Sequence, residues 1–252
     1  MMKFDFSRGL KKEINEVELI FRESLKSRWG DIDGFAENIE ADLFWMSIPE
    51  FVLLAYKYFD MEKDLSIKMA VIFKIVYLAN YIHETIKDED EGQEHNQELQ
   101  FTILIGDYLF GKIMSLLLEA NGGGLVDSFA DMMVETNEGL VIKYKTEPDS
   151  TEVIRKTKAS YYETAFVTAA RLSGIDDEAD LVFISELGIS LGMVMYLIYT
   201  NAPHEEISKN IIQVNQLFKT INQRIMVVNS YLEKAIEEIS NFSDCLNKVA
   251  AI

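Results

Sequence analysis

At 252 residues, 48% hydrophobic and with three prolines, the chain can bury one sizeable core and reads as a single all-helical domain over residues 1–252. One cysteine, Cys245, rules out an internal disulfide framework and suits a reducing, cytoplasmic setting. A formal charge of −18 at pH 7 excludes nucleic acid, which is bound by clustered Lys and Arg, and disfavours anionic membrane surfaces.

Apolar periodicity predicts helices at about 7–28, 34–47, 49–60, 64–89, 97–120, 125–146, 150–173, 177–201, 205–222 and 225–250. The opening residues, Met1 to Phe6, hold no apolar core of signal-peptide length. The long apolar runs, Met69–Ile82 and Ile189–Tyr199, fall short of the roughly 20 residues that span a bilayer, so they read as buried helices and no transmembrane segment is expected. The polar stretch Asp88–Glu98 is expected to be a mobile loop at one end of the bundle. Farther on, Gly122-Gly123-Gly124 separates two helices, Pro148-Asp149-Ser150 gives a break and a cap, and Pro203 ends the helix before it.

Chemistry concentrates where the fourth predicted helix ends. Glu84 and Asp88 stand at i and i+4, share a helix face, and are followed by Glu89 and Asp90. Paired carboxylates so placed can hold Mg²⁺, which prefers oxygen ligands and keeps waters or phosphate oxygens in its shell. The plainer alternative is a solvated acidic helix end. Other constellations carry less. Gly106-x-x-x-x-Gly111-Lys112-Ile113 lacks the Ser or Thr of a phosphate-binding loop and lies inside an apolar helix. His83, His95 and His204 have no metal-ligand spacing, and Cys245 has no base near it in sequence.

The order of these features resembles the trans-isoprenyl diphosphate synthases. Tyr77 to Asp90 (YLANYIHETIKDED) is followed by a polar break and then Ile105-Gly106-Asp107-Tyr108-Leu109-Phe110, in register with that family's first aspartate motif and its Gly-Asp-x-Leu. Lys158-Ala159-Ser160 is similar to the family's Lys-Thr-Ala segment, and Leu187-Gly188-Ile189-Ser190-Leu191-Gly192 to its Phe-Gly-x-x-Leu-Gly. The resemblance runs from about residue 15 onward, and it implies an all-α bundle around a central apolar cavity.

In that family, two facing aspartate-rich helix ends hold Mg²⁺ on an allylic diphosphate, and basic side chains grip isopentenyl diphosphate. The resemblance therefore assigns metal binding to Glu84 and Asp88 and diphosphate binding to Lys158. It assigns the prenyl pocket to Ala79, five residues before Glu84, and to its neighbour Asn80. Measured against that pattern, the chain departs in several places. The first motif maps to Glu84, Thr85 and Asp88; the second maps to Tyr199, Thr200 and Pro203 and keeps no carboxylate. The basic segment maps to Phe44-Trp45-Met46-Ser47-Ile48-Pro49, and the paired arginines to Glu91 through His95.

The expectation is a divergent synthase homologue, impaired in catalysis by itself, that serves as an accessory subunit or binds a prenyl diphosphate or lipid. An active prenyltransferase with an altered metal site and a plain helical scaffold are the alternatives. The resemblance also implies a homodimer, or a heterodimer with an active isoprenyl diphosphate synthase, formed through helices near Gly106–Leu118.

Overall fold

The computed structural model describes residues 8–25, 39, 42–84, 97–120, 123–145, 150–225 and 230–250. In chain order the helices are α1 (Lys11–Leu25), α2 (Leu43–Tyr58), α3 (Lys63–Glu84), α4 (Gln97–Glu119), α5 (Val126–Lys143), α6 (Thr151–Ile154), α7 (Ser160–Leu172), α8 (Glu178–Tyr199), α9 (His204–Ile225) and α10 (Tyr231–Ala250). A 3-10 turn, Gly123–Leu125, leads into α5, and a π-helical turn, Arg155–Ala159, joins α6 to α7. There is no strand among the described residues.

Two helices form the interior. α3 is buried on every side from Ser66 to Ile82, and α8 is buried over most of its length from Leu181 to Ile198. A helix apolar all round needs neighbours all round. α3 packs against α1, α2 and α4, while α8 packs against α7 and α9. Contact between α2 and α7 joins the two halves, and one buried cluster runs through both. The outer helices are amphipathic instead. α1 buries only Val17, Phe21 and Leu25, and α9 buries Ile207, Ile211, Val214, Phe218 and Ile221 at helical spacing.

The tightest crossing is α7 on α8. A Cβ added at Gly188 would lie 2.6 Å from the Glu163 Cα, and one at Gly192 would lie 2.7 Å from the Ala159 Cα. Glycine is required at both positions because backbone meets backbone there. The Gly-x-x-x-Gly spacing is thus a packing device that fixes the π-turn and α7 against the central helix.

Three expectations need correction. The break predicted between residues 47 and 49 does not occur; Pro49 lies inside α2, which runs unbroken from Leu43 to Tyr58. Asp42 caps this helix, its Oδ1 accepting from the backbone N–H of Phe44 (2.7 Å) and Trp45 (3.3 Å). Pro49 forfeits one backbone bond, which burial of Ile48, Pro49, Phe51, Val52 and Leu53 offsets. The predicted 34–47 helix otherwise falls largely outside the described residues.

The continuous helix predicted over 150–173 is interrupted by the π-turn, and Ser150 caps its start by accepting from the Val153 N–H. α4 opens at Gln97, where the helix predicted over 97–120 begins; the rest of the polar stretch before it lies outside the described residues. Finally, among the described residues three helices are long and apolar enough to cross a membrane by length and composition: Lys63–Glu84, Gln100–Glu119 and Glu178–Tyr199. Counting uninterrupted apolar runs missed them because a helix keeps its apolar character across one or two charges. The apolar windows of the first and third are 83% and 67% buried inside the protein, whereas that of the second is 28% buried.

Candidate functional site

The C-terminal end of α3, the π-turn, α5 and the start of α7 converge on one small polar chamber. It is lined by Tyr77, Asn80, Tyr81 and Glu84 of α3, Thr136 and Leu140 of α5, Thr157 and Lys158 of the π-turn, and Tyr161 of α7. Its volume is about 20 Å³, room for a single water.

The charged groups here are engaged with one another. Glu84 Oε1 accepts from Lys143 Nζ at 2.6 Å. Lys158 Nζ donates to the Tyr77 hydroxyl oxygen at 2.6 Å, and that hydroxyl donates to Asp42 Oδ2 at 2.8 Å. Lys158 also lies 3.8 Å from Asp42 Oδ2 and over the rings of Tyr77 (4.8 Å) and Phe44 (5.5 Å). Burial pushes the Lys158 ammonium below the usual lysine range, opposed by the Asp42 and Glu84 carboxylates. The Tyr77 phenol is pushed well up by burial and by the Asp42 charge, so it remains a neutral bridge between the acid and the lysine. Asp42 therefore has two roles. One oxygen caps α2 and the other anchors this relay.

The π-turn explains how Lys158 reaches the chamber. An extra residue in the turn rotates the side chains that follow it, and such bulges concentrate at functional positions. Lys156, two residues earlier, points elsewhere and meets Glu138 (3.0 Å) and Glu135 (3.7 Å) on α5. Gly139 lets α5 approach, since a Cβ there would lie 2.7 Å from Thr157 Cγ2 and 2.8 Å from Lys156 Cβ.

Of the residues singled out from sequence, Glu84, Asn80 and Lys158 come together in this chamber. Ala79 is fully buried and is not among the chamber's lining residues. Asp88 lies outside the described residues. Asn80, 5% exposed, donates from Nδ2 to the Tyr161 hydroxyl at 2.5 Å, and its Oδ1 is buried without a hydrogen-bond partner among the described residues. His83, next along α3, stacks on Phe110 of α4 at 5.5 Å and lies against Gly106, where a Cβ would come within 2.3 Å of its ring. Asp107 stands 3.9 Å from His83 Nε2. The Gly-Asp pair is thus a socket for that imidazole.

At the end of α8, Tyr199 packs edge-on against Phe44 at 5.4 Å, and Tyr162 and Tyr196 join the same aromatic cluster. Ser47 and the Tyr162 hydroxyl share a buried hydrogen bond of 2.8 Å. Trp45 faces Lys74, a lysine 3% exposed that is bound by Glu18 and lies 4.2 Å from the indole centroid. At Phe44, Trp45 and Tyr199, positions to which cations and a metal ligand were mapped, aromatic side chains pack into the interior instead; Glu91 to His95 lie outside the described residues.

Among the described residues no group of three His, Cys, Asp or Glu that could hold a metal occurs, Glu84 is tied to Lys143, and α8 ends at Tyr199 with Thr200 as its cap; Asp88 lies outside them. Sequence reasoning missed Asp42, Tyr77, Lys143 and Tyr161. Each belongs to a different helix or loop end, and no linear spacing links them; only Tyr77, two turns before Glu84 on one helical face, left a signal.

An all-helical bundle with two buried central helices, one ending at Glu84 and the other at Tyr199, is the fold of the trans-isoprenyl diphosphate synthases. Solved structures of that class are similar to this chain. A decaprenyl diphosphate synthase from Rhodobacter capsulatus is 14% identical with a TM-score of 0.69, covering 96% of this chain and 97% of its own. A polyprenyl synthase from Caulobacter crescentus CB15, complexed with calcium and isoprenyl diphosphate, is 15% identical with a TM-score of 0.69 over 94% of this chain and 97% of that one. The geranyl diphosphate synthase small subunit from Antirrhinum majus is 14% identical with a TM-score of 0.58, covering 88% and 98%. No protein-family model and no curated protein matches the sequence.

Proposed function

We propose that this chain is an isoprenyl-synthase-fold subunit that does not condense isopentenyl diphosphate by itself and acts instead by modulating a catalytic partner. The observation that carries this reading is the internal pairing of the chamber. Glu84 is held by Lys143, and Lys158 by Tyr77 and Asp42, so the groups that would meet a metal and a diphosphate already satisfy each other. A ligand would have to break those pairs and desolvate its own charge, a combined cost of several kcal/mol. In this reading Lys158 is the group that would meet a diphosphate, with Glu84 and Asp88 the remnant of the metal site. In the same reading Ala79 and Asn80 mark the place of the family's prenyl pocket, with Asn80 at the chamber wall and Ala79 packed into the core. The likeness to a small subunit of geranyl diphosphate synthase supports an accessory role.

The test is turnover. Purified alone with Mg²⁺, isopentenyl diphosphate and allylic primers of several lengths, the chain is expected to give no product. Mixed with an active isoprenyl diphosphate synthase, it is expected to change that enzyme's rate or product length. Magnesium-dependent turnover by the chain alone, abolished in Glu84→Gln, would replace this reading with that of an active prenyltransferase. An unchanged synthase would leave a scaffold.

A further inference from the structure

Asp131, Glu135 and Glu138 follow one another at i, i+4 and i+7 on α5, so they share a helix face and spread over about 10 Å of its length. α7 lies alongside and adds Glu163. A groove of about 450 Å³ runs between the two helices, and all four carboxylates line it. Met132, Val134 and Val167 supply apolar wall between the acids. The groove shares no lining residue with the polar chamber at Lys158.

The chain's own cations answer only part of this charge. Lys156 meets Glu138 at 3.0 Å and Glu135 at 3.7 Å, and Arg171 donates to the Ser128 hydroxyl at 3.0 Å. Burial pushes the Glu163 carboxyl up; the Ser185 hydrogen bond and the Arg155 charge oppose this, and the Glu135 and Glu186 charges add to it. Glu135 turns Oε1 to Lys156, while its Oε2 is buried without a hydrogen-bond partner among the described residues.

Thr164 is an independent sign. It lines the groove, is 7% exposed, and its hydroxyl makes no hydrogen bond among the described residues. Its neighbours behave otherwise. Thr136, Thr157, Ser160 and Thr168 each donate to the carbonyl four residues back, at 2.7, 2.8, 2.6 and 2.6 Å. Buried polar groups are seldom left unmet. An unmet hydroxyl and an unmet carboxylate oxygen in one groove call for a donor from outside the chain.

An ammonium is such a donor, with three N–H bonds and no acceptor. A single metal ion fits less well, because among the described residues no three His, Cys, Asp or Glu converge to hold one. Carboxylates strung along a helix with apolar side chains between them match a methylene chain that carries amines at intervals. We infer that the α5–α7 groove binds an aliphatic di- or polyamine, its ammonium groups on Asp131, Glu135, Glu163 and the Thr164 hydroxyl and its methylenes on Met132 and Val167. This site goes beyond the accessory-subunit reading and stands whether or not that reading holds.

Isothermal titration calorimetry of the full chain with spermidine, in about 100 mM NaCl near pH 7.5, is expected to show one saturable site. Glu135→Gln should weaken binding about tenfold. Thr164→Val keeps the charge and nearly the shape; it should weaken binding about fivefold and leave the free chain's melting temperature unchanged. Glu206→Gln, at an exposed acid in the first turn of α9, is the control for the chain's overall charge and should leave binding as it is. Magnesium chloride at equal ionic strength should not compete with spermidine.

Absence of saturable binding would overturn the inference, as would binding indifferent to Thr164→Val or a lower melting temperature in that variant. Equal weakening by Glu206→Gln and Glu135→Gln would reduce the effect to diffuse attraction by a chain at −18. Displacement of spermidine by magnesium would replace the amine site with a metal site.

Discussion

Replacing Gly188 with alanine tests whether the α7–α8 crossing positions the site. The new Cβ would lie 2.6 Å from the Glu163 Cα and 2.8 Å from both the Glu163 nitrogen and the Tyr162 carbonyl oxygen. Carbon contacts are comfortable at roughly 3.5–4.0 Å, so the helices must part by about 1 Å. All three obstructing atoms are backbone, and no rotamer change relieves them. Over-packing of this kind costs about 1–3 kcal/mol, while alanine returns up to about 1 kcal/mol of helix propensity. Because the clash cannot be relieved by a side chain, the upper part of that range applies, and the net loss is about 1–2 kcal/mol. For a chain of this size that lowers Tm by roughly 2–8 °C. Gly111→Ala is the matched control, with the same chemical change in open space, and should raise Tm by roughly 2–4 °C. Thermal melts followed by circular dichroism read both. A Gly188→Ala protein that melts at or above the wild-type temperature would refute the close-packing account and, with it, the reason for the Gly-x-x-x-Gly spacing.

Tyr77→Phe removes the hydroxyl that accepts from Lys158 and donates to Asp42. It should cost about 1.5–3 kcal/mol, seen as a lower urea midpoint with an unchanged slope, because two charge-assisted bonds go and their partners stay buried; a midpoint equal to wild type would show the relay to be unimportant. Glu163 of α7 has its carboxyl pushed up by burial, against a hydrogen bond from Ser185 at 2.6 Å. Between the unfolded value near 4.5 and its raised folded value the native state binds more protons, so this group's contribution is full below pH 4.5 and is lost as pH rises through the folded value. Glu163→Gln should therefore be more stable than wild type at pH 7.5 by no more than about 1 kcal/mol, with the gain vanishing as pH falls towards 4.5. A gain that persists there would assign it to something other than ionisation.

Much of the architecture was legible from residue order. The apolar stretches of α3 and α8 read as buried helices and are the central ones, and Ser150 marked a real helix start. Where local rules misled, tertiary burial overrode them. Pro49 sits inside α2 because its neighbours are core residues, and the π-turn Arg155–Ala159 lies where α5 and α8 approach closely at Gly139 and Gly192.

The sequence by itself determined that the chain is helical, acidic and without carboxylates at the end of α8, because periodicity, charge and missing residue types are properties of the linear order. Only the tertiary structure decided what the remaining charges do. Asp42, Tyr77, Lys143 and Lys158 come from four separate elements, and whether a carboxylate awaits a cation or already holds one depends on distances of a few ångströms that no spacing along the chain encodes.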